Sequence, residues 1–216
     1  MNLVLTAIND SLIAAWRRYC GDFDFVKIHQ GSILEVECDA VVSPANSFGF
    51  MDGGIDAIYT NHFGPDVETR VRQKIYSHHH GELLVGQADI VDTGDGKIPF
   101  MIAVPTMRVP MRLRDTVNPY LAARAVFILI TRGVFSSGNH AGHHIRDYVK
   151  TVAMPGLGTG TGYVDPNVCA GQVRAAIDDI LLKKHQEPKS LWEAAERHKW
   201  LQRNLSATDS IGATVK

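Results

Sequence analysis

Two largely apolar runs constrain the fold of this chain more than any other feature. Each is followed by a glycine-rich segment and then by a helical pattern. They are CDAVVSP (residues 38–44) and YVKTVAMP (residues 148–155). A continuous apolar run is typical of a strand buried on both faces, as in a parallel sheet covered by helices. Ligands bind beyond the carboxyl ends of the strands in such sheets. We therefore expect the two glycine-rich segments to form opposite walls of one cleft.

Strand and helix patterns alternate along the chain. A strand pattern at residues 2–8 precedes a capped helix, and two more helices are expected over residues 55–81. The segment YLAARAVFILITR (residues 120–132) predicts a deeply packed helix. Gly94-Asp95-Gly96 between two β-rich runs predicts a hairpin and hence an antiparallel pair. The sequence thus predicts an α/β protein: a three-layer α/β/α fold with a mixed, mostly parallel sheet of about six strands and helices on both faces.

The end of the chain is predicted to lie outside the main domain. We expect one domain over residues 1–185, followed at 186–216 by an amphipathic helix, SLWEAAERHKWLQ, and a polar, frayed tail. A cap on the domain's own sheet is the favoured role for this helix, ahead of contact with a second subunit.

Charge and composition exclude several classes of protein. Among 216 residues, 22 Lys+Arg and 23 Asp+Glu give a formal charge of −1, so no global positive field collects nucleic acid. Three cysteines without CxxC spacing argue against a disulfide framework and a cysteine zinc site, and favour a reducing, cytoplasmic setting. No apolar run approaches the roughly 20 residues that cross a bilayer, so no membrane partner is expected.

The second glycine-rich segment carries four glycines in seven residues, Gly156 to Gly162, with two threonines among them. Backbone N–H groups can converge there without Cβ obstruction, which makes a cradle for phosphate oxygens. A P-loop is disfavoured because no Gly-Lys-Ser/Thr follows, and no frame completes the Rossmann GxGxxG pattern. A tight strand-to-helix turn is the structural alternative.

The first glycine-rich segment, residues 43–56, ends a buried strand in small polar residues, and Gly53-Gly54 then opens a helix. An amide at Asn46 and a carboxylate at Asp56 could bind sugar hydroxyls. The structural alternative makes Asn46 a turn-stabilising side chain and Asp56 an ordinary acidic residue of a first helical turn.

Together the two segments resemble those of a macro domain, the ADP-ribose-binding α/β module. The match includes HQGSI (residues 29–33), CDAVVSPAN (residues 38–46), DGGIDAI (residues 52–58) and VAMP with GTG (residues 152–160). The resemblance covers roughly residues 25–182. Two matching segments, in the family's order and after the corresponding strands, indicate the family more specifically than either glycine run alone.

The resemblance implies roles for the residues that match. Asn46 would bind the terminal ribose, Gly53 to Ile55 would offer backbone donors, and Gly158 to Thr161 would surround the diphosphate, with Tyr163 over the ribose. Asp56 matches the family's water-activating Asp, so Asp56 and Asn46 are the candidate catalytic residues. The candidate ligand-binding residues are Ser32, Ile33, Ser43, Ala45, Asn46, Gly53, Gly54, Ile55, Pro155, Gly156, Leu157, Gly158, Thr159, Gly160, Thr161, Gly162 and Tyr163.

Two positions depart from the family pattern. Ser32 replaces an Asp that contacts adenine, and Ser43 replaces the first Asn of the Asn-Ala-Ala-Asn motif. Losing that carboxylate acceptor costs about 1–3 kcal/mol unless a neighbour such as Asp22 or Asp24 supplies it. A modified ADP-ribose derivative is the alternative ligand.

Two further segments suggest other functions. The histidines at 78–80 and 140–144 are expected to be solvated rather than metal-ligating, so neither a metal nor a cofactor is expected. The basic segment Arg108 to Arg114 could contact RNA or a phosphorylated partner, although a surface loop near the cleft is favoured.

Two classes of function remain. The favoured one is a hydrolase that cleaves an ADP-ribosyl linkage on a protein, a nucleic acid or a small molecule. The alternative is a non-catalytic reader. In both, the partner is ADP-ribose or an ADP-ribosylated substrate, and nucleic acid enters only as a modified substrate.

Overall fold

A computed structural model describes residues 1–203 of the chain. Its six strands are β1 Asn2–Ala7, β2 Val26–Gln30, β3 Ala40–Ser43, β4 Asp89–Asp92, β5 Phe100–Ala103 and β6 Thr151–Met154. Its helices are α1 Asp10–Cys20, α2 Gly54–Phe63, α3 Asp66–His78, α4 Asn118–Arg132, α5 Ile145–Tyr148, α6 Pro166–Ala176 and α7 Leu191–Gln202. A 3-10 turn at Ile33–Glu35 follows β2, and a π-helical turn at Ile177–Leu181 continues α6.

The six strands form one mixed sheet in the order β2-β1-β6-β3-β5-β4. All neighbours are parallel except β4, which pairs antiparallel with β5 at the edge. The loop between them contains Gly94 at φ 83°, in the left-handed region that glycine adopts without strain. The predicted hairpin and the predicted mixed, mostly parallel sheet are both confirmed.

Helices cover both faces of the sheet because the strand residues alternate between two cores. Leu3 and Leu5 of β1 pack toward α1, α4 and α6, whereas Val4 packs toward α2 and α3. The predicted core helix at 120–132 lies within α4, where Ala122, Val126 and Phe127 are fully buried. The three-layer α/β/α prediction is therefore confirmed.

Helix α7 forms where the sequence predicts an amphipathic helix, but the expectation that it caps the sheet is wrong. It packs on the outside of α6, where the buried Gln172 donates from Nε2 to the carbonyl oxygen of Leu201 at 2.9 Å. Arg197 also reaches Asp179 at 2.6 Å. Helices α4 and α6 already cover that face of the sheet, which leaves their outer surface for α7. The predicted polar tail at 204–216 lies outside the described residues.

The three cysteines are buried free thiols. Burial raises the pKa of Cys38 to about 11 and that of Cys169 to about 12, so these thiols are protonated at neutral pH. Within residues 1–203, no helix combines the length and the apolar character needed to cross a membrane.

Candidate functional site

A cleft of about 430 Å³ opens at the carboxyl edge of the sheet. Its walls are the segments that follow five adjacent strands, β2, β1, β6, β3 and β5, which all end at this edge because they are parallel. Neighbouring strands lie about 4.8 Å apart, so the cleft runs for about 19 Å across four spacings. The glycine-rich segment after β6 lies at its centre.

Most of the residues singled out from the sequence line this cleft. They are Ser32, Ile33, Ala45, Asn46, Gly53, Gly54, Ile55, Asp56, Pro155, Gly156, Gly158, Thr159, Gly160 and Thr161. The two glycine-rich segments do face each other across one space, as the strand-end argument predicts. Four other candidates, Ser43, Leu157, Gly162 and Tyr163, are placed outside the lining.

Two walls of the cleft, those after β1 and β5, contain none of the candidate site residues predicted from the sequence. Segment 6–9 and the first turn of α1 form one, and segment 106–110 forms the other. The lining residues absent from the sequence-based set are Thr6, Ala7, Ile8, Asn9, Leu12, Gly31, Pro44, Phe50, Asp52, Ile58, Thr106, Met107 and Pro110. Strand order alone would have indicated both walls, since β1 and β5 flank the strands that carry the glycine-rich segments.

The segment after β6 packs closely against neighbouring side chains on one side and is open on the other. A Cβ on Gly156 would lie 2.6 Å from Leu12 Cδ2, and one on Gly158, at φ 71°, would lie 2.9 Å from Leu113 Cδ1. A Cβ on Gly160 would meet no atom within 4 Å. The buried side of this loop therefore needs glycine for close packing, while the other side presents backbone to the cleft.

Three candidates of this segment do not line the cleft, and two of them, Leu157 and Gly162, anchor it. Leu157 is fully buried in the core, and Gly162 accepts a backbone hydrogen bond from Leu113 at 2.8 Å. Tyr163 is 72% exposed at φ 53°, with the Arg112 guanidinium 4.9 Å from its ring centre. The Tyr163 ring packs against the Arg112 guanidinium and is not part of the cleft lining.

The first turn of α2 forms the facing wall. Gly53 is extended and Gly54 has φ 59°, and a Cβ on either would meet nothing within 4 Å. A left-handed conformation costs other L-residues about 1 kcal/mol, which favours glycine at position 54. The N–H groups of this first turn have no partner within the helix and can donate hydrogen bonds to an anionic ligand.

Asn46 lines the cleft, but its side chain is engaged within its own loop. Nδ2 donates to the carbonyl oxygen of Phe50 at 2.7 Å, and Oδ1 accepts from the backbone N–H groups of Phe48 and Phe50 at 3.1 and 3.3 Å. These are the contacts of a turn-stabilising side chain. Asn46 can reach a ribose hydroxyl only by sharing or exchanging one of them.

Asp56 combines burial with a place in the cleft wall. It is 7% exposed, and its Oδ1 accepts a 2.6 Å hydrogen bond from the Ser43 hydroxyl. The pKa of Asp56 is raised to about 6, chiefly by burial; the Ser43 hydrogen bond lowers it, and the nearby Asp52 and Glu68 add to the rise. At pH 7 about ten carboxylates are ionised for each one protonated, which suits a general base.

At the opposite end of the cleft, Ser32 caps the 3-10 turn. Its Oγ accepts from the N–H of Leu34 at 3.3 Å, while its own N–H donates to Glu35. Asp22 and Asp24, the possible substitutes for the missing carboxylate, precede β2 and lie at its amino end, away from Ser32. Asp22 pairs there with Arg174 at 2.8 Å. Asp10, which accepts from Gln30 at 2.6 Å, is an acidic residue at the cleft end.

The histidines are dispersed through the part of the chain that the structure describes. His79 Nε2 lies 2.9 Å from Asp89 Oδ2, and the centre of the His140 ring lies 4.2 Å from that of the Tyr148 ring. No group of three His, Cys, Asp or Glu side chains able to hold a metal ion occurs among residues 1–203.

The basic segment borders the cleft mouth. Met107 and Pro110 line the cleft, Arg108 makes two hydrogen bonds to Glu82, at 2.6 and 3.2 Å, and Arg112 lies over Tyr163. The favoured expectation of a surface loop near the cleft agrees with this placement.

Comparisons with solved structures support the fold. The macrodomain of Mycobacterium tuberculosis DarG aligns with a TM-score of 0.54 at 22% identity, over 70% of this chain and 88% of its own. A point mutant of the Oceanobacillus iheyensis macrodomain with ADPR aligns with a TM-score of 0.56 at 14% identity, over 80% and 88%. The Trypanosoma brucei macrodomain in complex with ADP-ribose aligns with a TM-score of 0.50 at 15% identity, over 70% and 56%. At these identities the likeness concerns the fold.

Comparisons of sequence identify the family. An uncharacterized protein of Aquifex aeolicus is 32% identical over 166 residues, which are 77% of this chain and 85% of that protein. An uncharacterized protein of Aeropyrum pernix is 30% identical over 135 residues, 62% of this chain and 61% of that protein. The sequence model of the Macro-like domain matches residues 24–191. The chain therefore belongs to the Macro-like domain family.

Proposed function

We propose that this protein binds ADP-ribose, or a group bearing it, along the cleft and hydrolyses an ADP-ribosyl linkage. The observation that carries this proposal is the order of groups across the sheet edge. The glycine-rich segment after β6 lies at the centre, and the buried Asp56 carboxylate lies in the wall on one side of it.

The dimensions of the cleft support a ligand with two rings joined by a diphosphate. The backbone of segment 156–161 and the first turn of α2 hold the diphosphate, since both offer N–H groups toward the same space. About 19 Å of strand ends leaves room for one ring on each side. Solved macrodomains from O. iheyensis and T. brucei carry ADPR and ADP-ribose, respectively, which supports this choice of ligand.

In the proposed reaction Asp56 acts as the general base. A water oxygen bonds to the anomeric carbon of the terminal ribose, and the bond from that carbon to the leaving group breaks with its electron pair. The water proton passes to Asp56, and the leaving group takes a proton from solvent. A base whose pKa is about 6 is mostly ionised at neutral pH yet still basic enough to accept that proton.

A non-catalytic reader is the second candidate, and one observation favours it. The Asn46 side chain is hydrogen-bonded within its own loop at both its amide nitrogen and its oxygen. An amide occupied in this way shapes the pocket rather than orienting a reacting group. A reader of this kind would bind ADP-ribose without turning over any derivative of it.

Two measurements test these proposals in sequence. Calorimetric titration with ADP-ribose, with AMP and ribose 5-phosphate as controls, is expected to give micromolar binding for ADP-ribose alone. Hydrolysis of ADP-ribosylated protein, nucleic acid and small-molecule substrates is then compared between wild type and Asp56→Ala. Loss of turnover with binding retained supports the hydrolase, whereas binding without turnover by wild type supports the reader. Absence of binding overturns both.

A further inference from the structure

Ser43 and Asp56 form a buried pair whose two members have different access to the cleft. Ser43 is 1% exposed and does not line the cleft, whereas Asp56 is 7% exposed and does. The Ser43 hydroxyl therefore cannot contact a ligand directly, and it cannot act as a nucleophile. Its hydrogen bond to Asp56 Oδ1, at 2.6 Å, is the contact through which it acts.

The pair joins the rigid sheet to the first turn of α2. Ser43 is the last residue of β3, opposite Ala103 of β5, and its carbonyl oxygen accepts from Val104 at 3.0 Å. Asp56 is the third residue of α2. The hydroxyl is thus held by a strand in the middle of the sheet, while the carboxylate belongs to a helix that begins beside the cleft.

We propose that Ser43 is a positioning residue for hydrolysis, whose hydroxyl holds one oxygen of Asp56 and so aims the other at the ligand. Among residues 1–203, the structure shows no protein donor to Asp56 Oδ2. That oxygen is therefore available to accept a hydrogen bond from a water in the cleft, while the contact from Ser43 to Oδ1 restrains rotation of the carboxylate. This role rests on the proposed function.

The remaining groups around Asp56 do not duplicate this role. Asp52 and Glu68 are acidic and oppose ionisation of Asp56. Tyr59 is fully buried, and its hydroxyl donates to the carbonyl oxygen of Val42. Ser43 is the one hydrogen-bond donor to the Asp56 side chain that the described residues provide.

The test removes the Ser43 hydroxyl and compares it with another hydroxyl on α2. Ser43→Ala removes the donor, and the pKa of Asp56 is expected to rise by about one pH unit or more, since a hydrogen bond to a charged group favours the charged form. Thr60→Val is the matched control, because Thr60 Oγ1 donates to the backbone oxygens of Met51 and Asp56 and not to the carboxylate. It is expected to leave the Asp56 titration unchanged.

The readout is a carbon NMR titration of the Asp56 carboxyl group, assigned by its loss in Asp56→Asn, together with the pH profile of hydrolysis. In Ser43→Ala the acid limb of the profile is expected to move upward with the titration, while ADP-ribose affinity stays within about twofold. An unchanged titration, or an equal change in Thr60→Val, would overturn the positioning role. A shifted titration in a protein that hydrolyses no ADP-ribosyl linkage would instead refute the hydrolase proposal and retain the Ser43–Asp56 coupling.

Discussion

At the scale of single residues, Asp56 shows how a functional group can oppose stability. Its environment raises the pKa of the carboxyl from 3.8 to about 6, chiefly because burial disfavours the charged form. A carboxyl group with a raised folded-state pKa contributes unfavourably to stability at pH values above that pKa. The contribution is lost below the unfolded-state pKa, where the group is protonated in both states.

Replacing Asp56 with Asn is therefore expected to stabilise the protein at neutral pH while abolishing turnover. Removing the buried charge raises the free energy of unfolding by about 2–3 kcal/mol at pH 7, and the gain shrinks as the pH falls from about 6 to 4. Urea denaturation at several pH values measures the difference. A gain that is constant with pH would show that the carboxyl pKa is not raised.

Gly158 is the residue at which the loop after β6 most clearly requires glycine. Its φ of 71° and a Cβ position 2.9 Å from Leu113 predict that Gly158→Ala displaces the loop. We expect about tenfold weaker ADP-ribose binding, equivalent to about 1.4 kcal/mol, measured by calorimetry. The control is Gly96→Ala, because Gly96 lies outside the cleft lining and a Cβ there would meet nothing within 4 Å. Equal affinity in the two variants would contradict the proposed cradle.

At the scale of elements, α7 is attached through partly buried polar contacts on α6 and the turn that follows it. Asp179, 5% exposed, accepts from both Arg197 of α7 and Tyr120 of α4. Gln172 bonds to Leu201 and also to the backbone of the segment before α4. The helix is therefore tied to the same layer that supports the loop after β6.

Arg197→Ala is expected to lower the free energy of unfolding by about 1–2 kcal/mol, because it leaves a buried carboxylate with one fewer partner. Lys199→Ala on the same helix is the control. Lys199 is exposed and Glu196 is partly exposed, and such surface pairs contribute at most about 1 kcal/mol. Chemical denaturation measures the free energy of unfolding of both variants. Equal losses in Arg197→Ala and Lys199→Ala would argue against α7 as part of the folded unit.

At the scale of the whole molecule, five parallel strand ends create the cleft, and ADP-ribose bound as proposed would contact the segments after all five. Global unfolding separates these segments, because they follow different strands, and so it abolishes binding. Binding is therefore expected to stabilise the whole folded domain. A ligand at 100 times its dissociation constant stabilises the native state by about 2.7 kcal/mol.

ADP-ribose at that concentration is therefore expected to raise the Tm by about 5–10 °C for a domain of this size. Thermal unfolding followed by circular dichroism measures the change. Ribose 5-phosphate at the same concentration is expected to leave the Tm nearly unchanged, because it occupies one end of the cleft. An equal rise with both compounds would contradict a cleft built for a diphosphate joining two rings.

Local patterns predicted much of this architecture. Continuous apolar runs indicated the buried strands β3 and β6, the Asp95-Gly96 pair indicated the hairpin, and the two glycine-rich segments indicated the walls of the cleft. These features depend on backbone conformation and burial that neighbouring residues specify. For the same reason, the lining at Gly53 to Asp56, at Gly156 and at Gly158 to Thr161 could be chosen before any fold was known.

The tertiary structure decided how residues distant in sequence meet. Strand order brought the ends of β1 and β5 into the cleft. It also turned Ser43 from a candidate ligand contact into a partner of Asp56, thirteen residues away. The sequence determined the elements and the backbone conformations at the site because those are local properties. Side-chain direction and partner depend on packing between elements, which only the folded sheet and its helices fix.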